Sequence, residues 1–182
     1  MLIAAAAISI ILAVFSLVFF VFFPIGRGAV FFPSLRSHAL RMAELAEVSA
    51  GDRAADLGSG DGRVVIALAR RGAEAHGFEI NPALVLLSRW NIRRSGCAAR
   101  AHVHWQSFWS IDLSGFDAVT LFQGGFIMKR LEKKVLGELA AGARVVSDYW
   151  GFPTIQPVHV SGTIHVYRMG SGRRRPRVSL LA

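Results

Sequence analysis

The chain has 182 residues, 53% of them hydrophobic, with a formal net charge of +9 and one cysteine, Cys97, which admits one domain plus an extra segment and excludes an intrachain disulfide framework. The charge sits at the edges: residues 44–148 hold 13 basic and 12 acidic side chains, while arginines 27, 36 and 41 precede that interval and arginines 168, 173, 174, 175 and 177 follow it. A domain that grips a phosphate backbone carries a basic face of its own, so no nucleic-acid partner is expected, and the basic flanks fit an anionic lipid surface.

Residues 1–23 contain no charged side chain and only two polar ones, Ser9 and Ser16. As a helix they would reach about 34 Å, against about 30 Å of bilayer hydrocarbon, which predicts one N-terminal transmembrane helix. A cleaved signal peptide fits less well, because no basic segment opens the run and no small-residue cleavage site precedes Pro24. The charges that follow, Arg27, Arg36 and Arg41, place the domain on the cytoplasmic side of the cell (inner) membrane by the positive-inside rule. Residues 24–33 read as a juxtamembrane connector whose Phe31 and Phe32 either line an entrance or pack on the domain. The folded domain is expected over 34–170 and a basic tail over 171–182.

Ser34 suits the N-cap of a helix reaching about residue 48. A first strand follows over 53–57, then Asp56-Leu57-Gly58-Ser59-Gly60-Asp61-Gly62-Arg63, a glycine-rich turn opening a helix over 62–71. Glycines there let the backbone press close to a ligand, and the following helix presents free N–H groups. A second strand over 75–80 ends in Glu79 and Ile80, with Asn81 just after it; an acid at that position suits ribose hydroxyls. Asn81 and Pro82 are placed to start a helix reaching Arg94. Strands are expected over 101–105 and 116–122, a helix over 127–140, a strand over 143–148, and a hairpin of 157–160 with 163–169 about Ser161 and Gly162. Strands alternating with helices predict an α/β fold with a parallel sheet.

A dinucleotide fingerprint would read Gly-x-Gly-x-x-Gly; here the third glycine comes one residue early and Asp56 precedes the turn. With Glu79 ending strand two, this pattern resembles the class I S-adenosylmethionine-dependent methyltransferases. The resemblance implies a Rossmann-like seven-stranded sheet in the order 3-2-1-4-5-7-6 with an antiparallel terminal hairpin. It further implies that Asp56 contacts the methionine end and Glu79 the ribose. The turn of Gly58, Ser59, Gly60, Asp61 and Gly62 would then cradle the cofactor, with Ile80, Asn81 and Phe122 beside it.

A narrower likeness lies in residues 56–66, in Glu79 to Pro82 with Leu84, Val85, Ser88 and Arg89, in Asp112 to Ser114, and in Leu131 to Lys134. These are similar to the small protein-lysine methyltransferases that act on the adenine nucleotide translocase and the ATP-synthase c-subunit, and their prokaryotic relatives. The likeness covers about residues 32–168 and implies lysine N-methylation of a protein at or in the membrane. Two departures stand out. Where the family carries an acid for the adenine amine, this chain has Ser107, followed by Phe108, which can pack on the adenine. After strand four the family's Gly-Val-Pro-Gln is replaced by Gln123, Gly124, Gly125 and Phe126.

Open α/β sheets bind ligands at the carboxyl ends of their strands. That points to Gln123 as an acceptor for an amine, Trp150 as a cation–π wall and Asp148 as a catalytic carboxylate, though Trp150 and Asp148 equally suit packing and turn roles. His102 and His104 share a face of strand three without a cysteine or carboxylate at ligand spacing, so no metal is expected. The expected function is membrane-anchored methyl transfer to a protein lysine. The alternatives are methylation of a lipid-soluble small molecule such as a quinone or lipid, or cofactor binding without catalysis.

Overall fold

The structure, a computed structural model, describes residues 8–11 and 36–170. The elements are α1 (Arg36–Leu45), β1 (Arg53–Leu57), α2 (Arg63–Arg70), β2 (Glu74–Glu79), α3 (Pro82–Arg94), β3 (Ala101–Trp105) and β4 (Ala118–Leu121). A 3-10 turn (Gly125–Ile127) then runs into α4 (Met128–Glu138), followed by β5 (Arg144–Asp148), β6 (His159–Ser161) and β7 (Ile164–Arg168). The strands form one sheet in the order β3-β2-β1-β4-β5-β7-β6, as the resemblance implied. The pairs β1–β2, β1–β4, β2–β3 and β4–β5 are parallel, and β7 lies antiparallel between β5 and β6.

Local chemistry explains these elements. All four residues of β4 are buried, the continuous apolar pattern of a strand covered on both faces. Helix α3 begins where Asn81 Oδ1 accepts the Ala83 N–H at 3.0 Å and Pro82 takes the first helical position, where its missing N–H costs nothing. Helix α2 turns Val64, Val65, Ala67, Leu68 and Ala69 into the core.

Burial divides into two clusters, one per sheet face. On one, Ala39, Met42 and Ala43 of α1 meet Val65 and Leu68 of α2, Ile92 of α3 and Val146 of β5. On the other, Leu131 and Val135 of α4 pack with Leu57, Phe78, Leu121 and Val145. Between β3 and β4 there is no helix, only a loop tied to α4: Lys134 Nζ donates to the Ile111 carbonyl at 2.7 Å, and Glu138 Oε2 accepts the Leu113 N–H at 3.0 Å. Buried Glu132 accepts the Thr154 and Ile155 N–H groups, fixing the link from β5 to the hairpin.

Helix α1 lies antiparallel to β5. Glu47, just past its end, pairs with Arg144 at the start of β5, and His38 in its first turn reaches Asp148 at the end. The amino end of α1 is thereby brought to the carboxyl edge of the sheet.

Boundaries differ from expectation by one or two residues at several strands. Strand β4 is shorter than 116–122 because Phe116 and Asp117 serve a turn: the Phe116 N–H donates to Leu113 O, and Asp117 Oδ2 accepts the Arg53 N–H. No helix among the described residues is long and apolar enough to cross a membrane. The expected transmembrane helix over 1–23 lies outside the described residues, except that residues 8–11 are helical. The connector at 24–33, the Ser34 cap and the tail at 171–182 also lie outside them.

Candidate active site

The carboxyl ends of β1, β2, β4 and β5 lie side by side, and the loop after β1 folds over them. The N–H groups of Gly58 and Ser59 both donate to Phe78 O, at 2.9 and 3.2 Å. Gly58 has φ +82°, and a Cβ there would collide with the Gln123 side-chain amide; a left-handed conformation this tightly covered requires glycine. Gly62, also at φ +82°, precedes α2, and a Cβ there would meet Ser88.

Glu79 closes the loop. It is 5% exposed; its Oε2 accepts the Gly60 N–H at 3.0 Å and its Oε1 the Asn81 N–H at 2.8 Å. A carboxylate offers about four acceptor positions, so capacity remains for ribose hydroxyls. Asp56 is buried, and Thr120 Oγ1 donates to it at 2.7 Å. Burial pushes its carboxyl up to about 7, with the Thr120 bond pulling the other way. An arriving ammonium would favour its ionised form.

Gln123 is buried, and its Nε2 donates to Leu57 O at 2.7 Å. That bond orients the amide and commits its Nε2, so that Oε1 is the side chain's remaining acceptor. Asp61 faces Arg63, which donates to it at 2.5 Å, and the Asp61 carbonyl accepts from Asn91 Nδ2. It shapes the loop through its backbone and that pair. The Ser59 hydroxyl is buried without a hydrogen-bond partner among the described residues and sits against Gly77, where a Cβ would lie 2.6 Å away. Ser59 thus serves the loop by its small size and backbone.

Past Glu79, Ile80 offers its carbonyl to Trp105 Nε1 at 3.0 Å, holding an otherwise exposed indole beside the β2 end. Ser107 opens a turn in which its Oγ accepts the Trp109 N–H at 3.3 Å, and Phe108 is 4% exposed, packed in the core beside Trp109. Phe122 is half-buried.

Beyond the ends of β4 and β5, Trp150 is half-exposed and lies over Gly125, where a Cβ would come within 2.9 Å of its ring. Tyr149 meets it edge-on at 5.4 Å and holds φ +69°, an unfavourable backbone conformation for a residue with a side chain. Phe126, the last residue of the run that departs from the family pattern, is 70% exposed and covers Gly124. Asp148 is buried: Oδ2 accepts from His38 Nδ1 at 2.8 Å, and Oδ1 from Thr163 Oγ1 at 2.7 Å. His38, 110 residues away in the chain, was not selected from the sequence, where nothing links a histidine in the first helix to the end of strand five. Among the described residues no cluster could hold a metal ion.

The family model of the ANTKMT methyltransferase domain matches residues 56–159, which takes in Asp56 to Trp150 of this edge but neither His38 nor Thr163. The adenine nucleotide translocase lysine N-methyltransferase of Mus musculus is 44% identical over 108 residues, covering 59% of this chain and 47% of that protein. The protein-lysine N-methyltransferase of Saccharolobus islandicus is 35% identical over 140 residues, covering 71% of this chain and 87% of its own length. Among solved structures, the RNA methyltransferase from Salinibacter ruber in complex with S-adenosyl-L-homocysteine aligns with a TM-score of 0.72 at 31% identity, covering 78% of this chain and 96% of that one. The chain spans about half the length of the mouse relative it matches.

Proposed function

Because the chain belongs to the ANTKMT methyltransferase domain family, we propose that it is an S-adenosylmethionine-dependent methyltransferase acting on a lysine of a membrane-associated protein. The observation that carries the reading is the loop of residues 58–62, cinched by Glu79 and backed by Asp56, inside the stretch the family model matches. Glu79 would take the ribose hydroxyls, and Asp56 with the loop N–H groups the methionine end. When bound, the cofactor supplies a methyl group on a positively charged sulfur.

The chain's own residues position the acceptor, which is most of the help an in-line displacement needs. The Gln123 Oε1 atom accepts from the incoming amine, and Trp150 gives its charged form an aromatic wall. Burial beside a positive sulfur lowers the amine's pKa and favours its reactive neutral form. The apolar stretch of residues 1–23 supports a membrane anchor with the catalytic domain on the cytoplasmic face, and the basic flanks support contact with anionic lipid.

Labelled S-adenosylmethionine, incubated with the full chain and a membrane fraction, should yield methyl-lysine in protein hydrolysates. Label confined to lipid or quinone would overturn the lysine assignment. A second reading, RNA methylation, is supported by the likeness to the Salinibacter ruber enzyme. Against it stand the near-neutral charge of residues 44–148 and the Gln-Gly-Gly-Phe run after β4. Label in RNA alone would favour it.

A further inference from the structure

We infer that His38 is a catalytic residue, a general base that takes the proton from the acceptor lysine, and that Asp148 is its positioning partner. The inference rests on the lysine reading above and adds to it the group that makes the amine nucleophilic.

The geometry is that of a carboxylate–imidazole dyad. Asp148 is 3% exposed, and its two oxygens are separately engaged, one by Thr163 Oγ1 at 2.7 Å and the other by His38 Nδ1 at 2.8 Å. An ionised carboxylate only accepts hydrogen bonds, so Nδ1 carries the proton and Nε2 presents its lone pair. The carboxylate thus fixes ring orientation and tautomer, the task of the orienting acid in nucleophile–base systems. Nε2 has no hydrogen-bond partner among the described residues, and the imidazole is 38% exposed. It lies at the carboxyl end of β5, the edge that also carries Gln123 and Trp150. The arrangement is held from three sides: α1 supplies His38, β5 supplies Asp148, and the hairpin supplies Thr163 and also Ser161, which accepts from Arg41 one turn along α1. Among the described residues the charged group that meets the imidazole is Asp148 from β5; Arg41, one turn along the same helix, has its guanidinium engaged by Ser161 and Glu44.

The chemistry balances simply. The lysine ammonium gives one proton to His38 Nε2. The freed amine lone pair forms the N–C bond as the methyl–sulfur bond breaks, and the electron pair of that bond returns to sulfur, leaving a neutral thioether. The new methylammonium carries the charge that was on sulfur, and the imidazolium returns its proton to water through its exposed side. Without such a base the reaction draws only on the fraction of lysine that burial leaves neutral, starting from a free-amine value of about 10.4.

The test uses the full chain with labelled S-adenosylmethionine, detergent-solubilised membrane protein as acceptor, and methyl-lysine as readout from pH 6 to 9. His38→Gln should lower kcat on the order of 10²-fold at pH 7 with KM unchanged. The deficit should shrink by roughly tenfold per pH unit as the ammonium loses its proton to solvent without help. Asp148→Asn should show the same steepened profile. Calorimetry should give unaltered S-adenosylmethionine binding for His38→Gln, and thermal melting a retained fold. Methyl-lysine formation by His38→Gln at the wild-type rate, or a loss that is equal at every pH, overturns the base while leaving the lysine reading intact. Wild-type chain that forms no methyl-lysine at any pH overturns both.

Discussion

Asp56 sits where folding and binding pull against each other. Its carboxyl is pushed up from 3.8 to about 7 by burial, so the folded state disfavours its ionised form. With the folded value raised above the unfolded one, this group's contribution to stability is full below about 4 and is lost as pH rises through about 7. Asp56→Asn should therefore melt at a higher temperature than wild type at pH 8 and show little difference at pH 4. Its affinity for S-adenosylmethionine should fall by about tenfold or more, since one charge-assisted contact is worth about 1.5–3 kcal/mol. Thermal melts and calorimetry at the two pH values check both halves, and a lower melting temperature at pH 8 contradicts the argument. Gly58 carries a different constraint. Ala at φ +82° adds about 1–2 kcal/mol of backbone strain and drives its methyl into the Gln123 amide, so Gly58→Ala should lose cofactor binding and melt lower. At this scale the sequence was informative wherever chemistry is local. Glycine spacing, the acid before the turn and the acid nineteen residues after Gly60 were all legible. His38 against Asp148 was not, because that contact depends on how a helix lies across a sheet.

The pairing of β2 with β3 sets up a second titrating group. Parallel register places His76 opposite His102 and Phe78 opposite His104. His76 Nδ1 and His104 Nε2 approach to 3.1 Å, and Phe116 packs edge-on against the His76 ring. Burial, then the Arg53 guanidinium from β1, push His76 down to about 4; Glu74 on the same strand opposes the shift, and His104 and His102 on β3 reinforce it. His104 is itself lowered, by burial first and then by His102 and by Arg89 of α3. For His76 the folded value lies below the unfolded 6.5, so the stability it contributes is present above about 6.5 and is lost as pH falls through about 4. His76→Phe should flatten that acid-side loss, read as the dependence of melting temperature on pH between 6.5 and 4. Asp56 acts in the same window with the opposite sign, so the comparison is cleanest in an Asp56→Asn background. An unchanged acid slope in His76→Phe would contradict this account. Element types and order followed from periodicity and the Asn81–Pro82 start signal, and β1, α3 and β3 kept their expected bounds. The histidine cluster did not follow, because alternation places residues on a face of one strand but says nothing of which residues on the next strand stand opposite. The short β4 has the same origin: Phe116 looks like strand by composition, yet its N–H turns back to Leu113.

For the whole molecule the question is how a domain with the proposed activity would find its acceptor. Residues 44–148 are nearly balanced in charge, and the excess lies in the arginines before and after them. The proposed membrane contact could therefore take two physical forms, and they respond differently to salt. Basic flanks on an anionic surface contribute about 1 kcal/mol per arginine at physiological ionic strength, and that attraction is largely screened in 1 M salt, where the Debye length is about 3 Å. An apolar helix in hydrocarbon gains about 25 cal/mol per Å² of buried surface, a term that added salt does not screen. If the proposed anchor spans the bilayer, full-length chain should remain in the membrane pellet through 1 M salt and alkaline carbonate and leave only with detergent. A chain beginning at residue 36 should bind vesicles containing anionic lipid at low salt, leave them at 1 M, and ignore neutral vesicles. Release of the full-length chain by 1 M salt would sink the anchor and leave electrostatic attachment alone. Retention of both forms in 1 M salt would instead point to an apolar contact made by the domain itself, for which exposed Phe126, Tyr149 and Trp150 are the side chains to replace first.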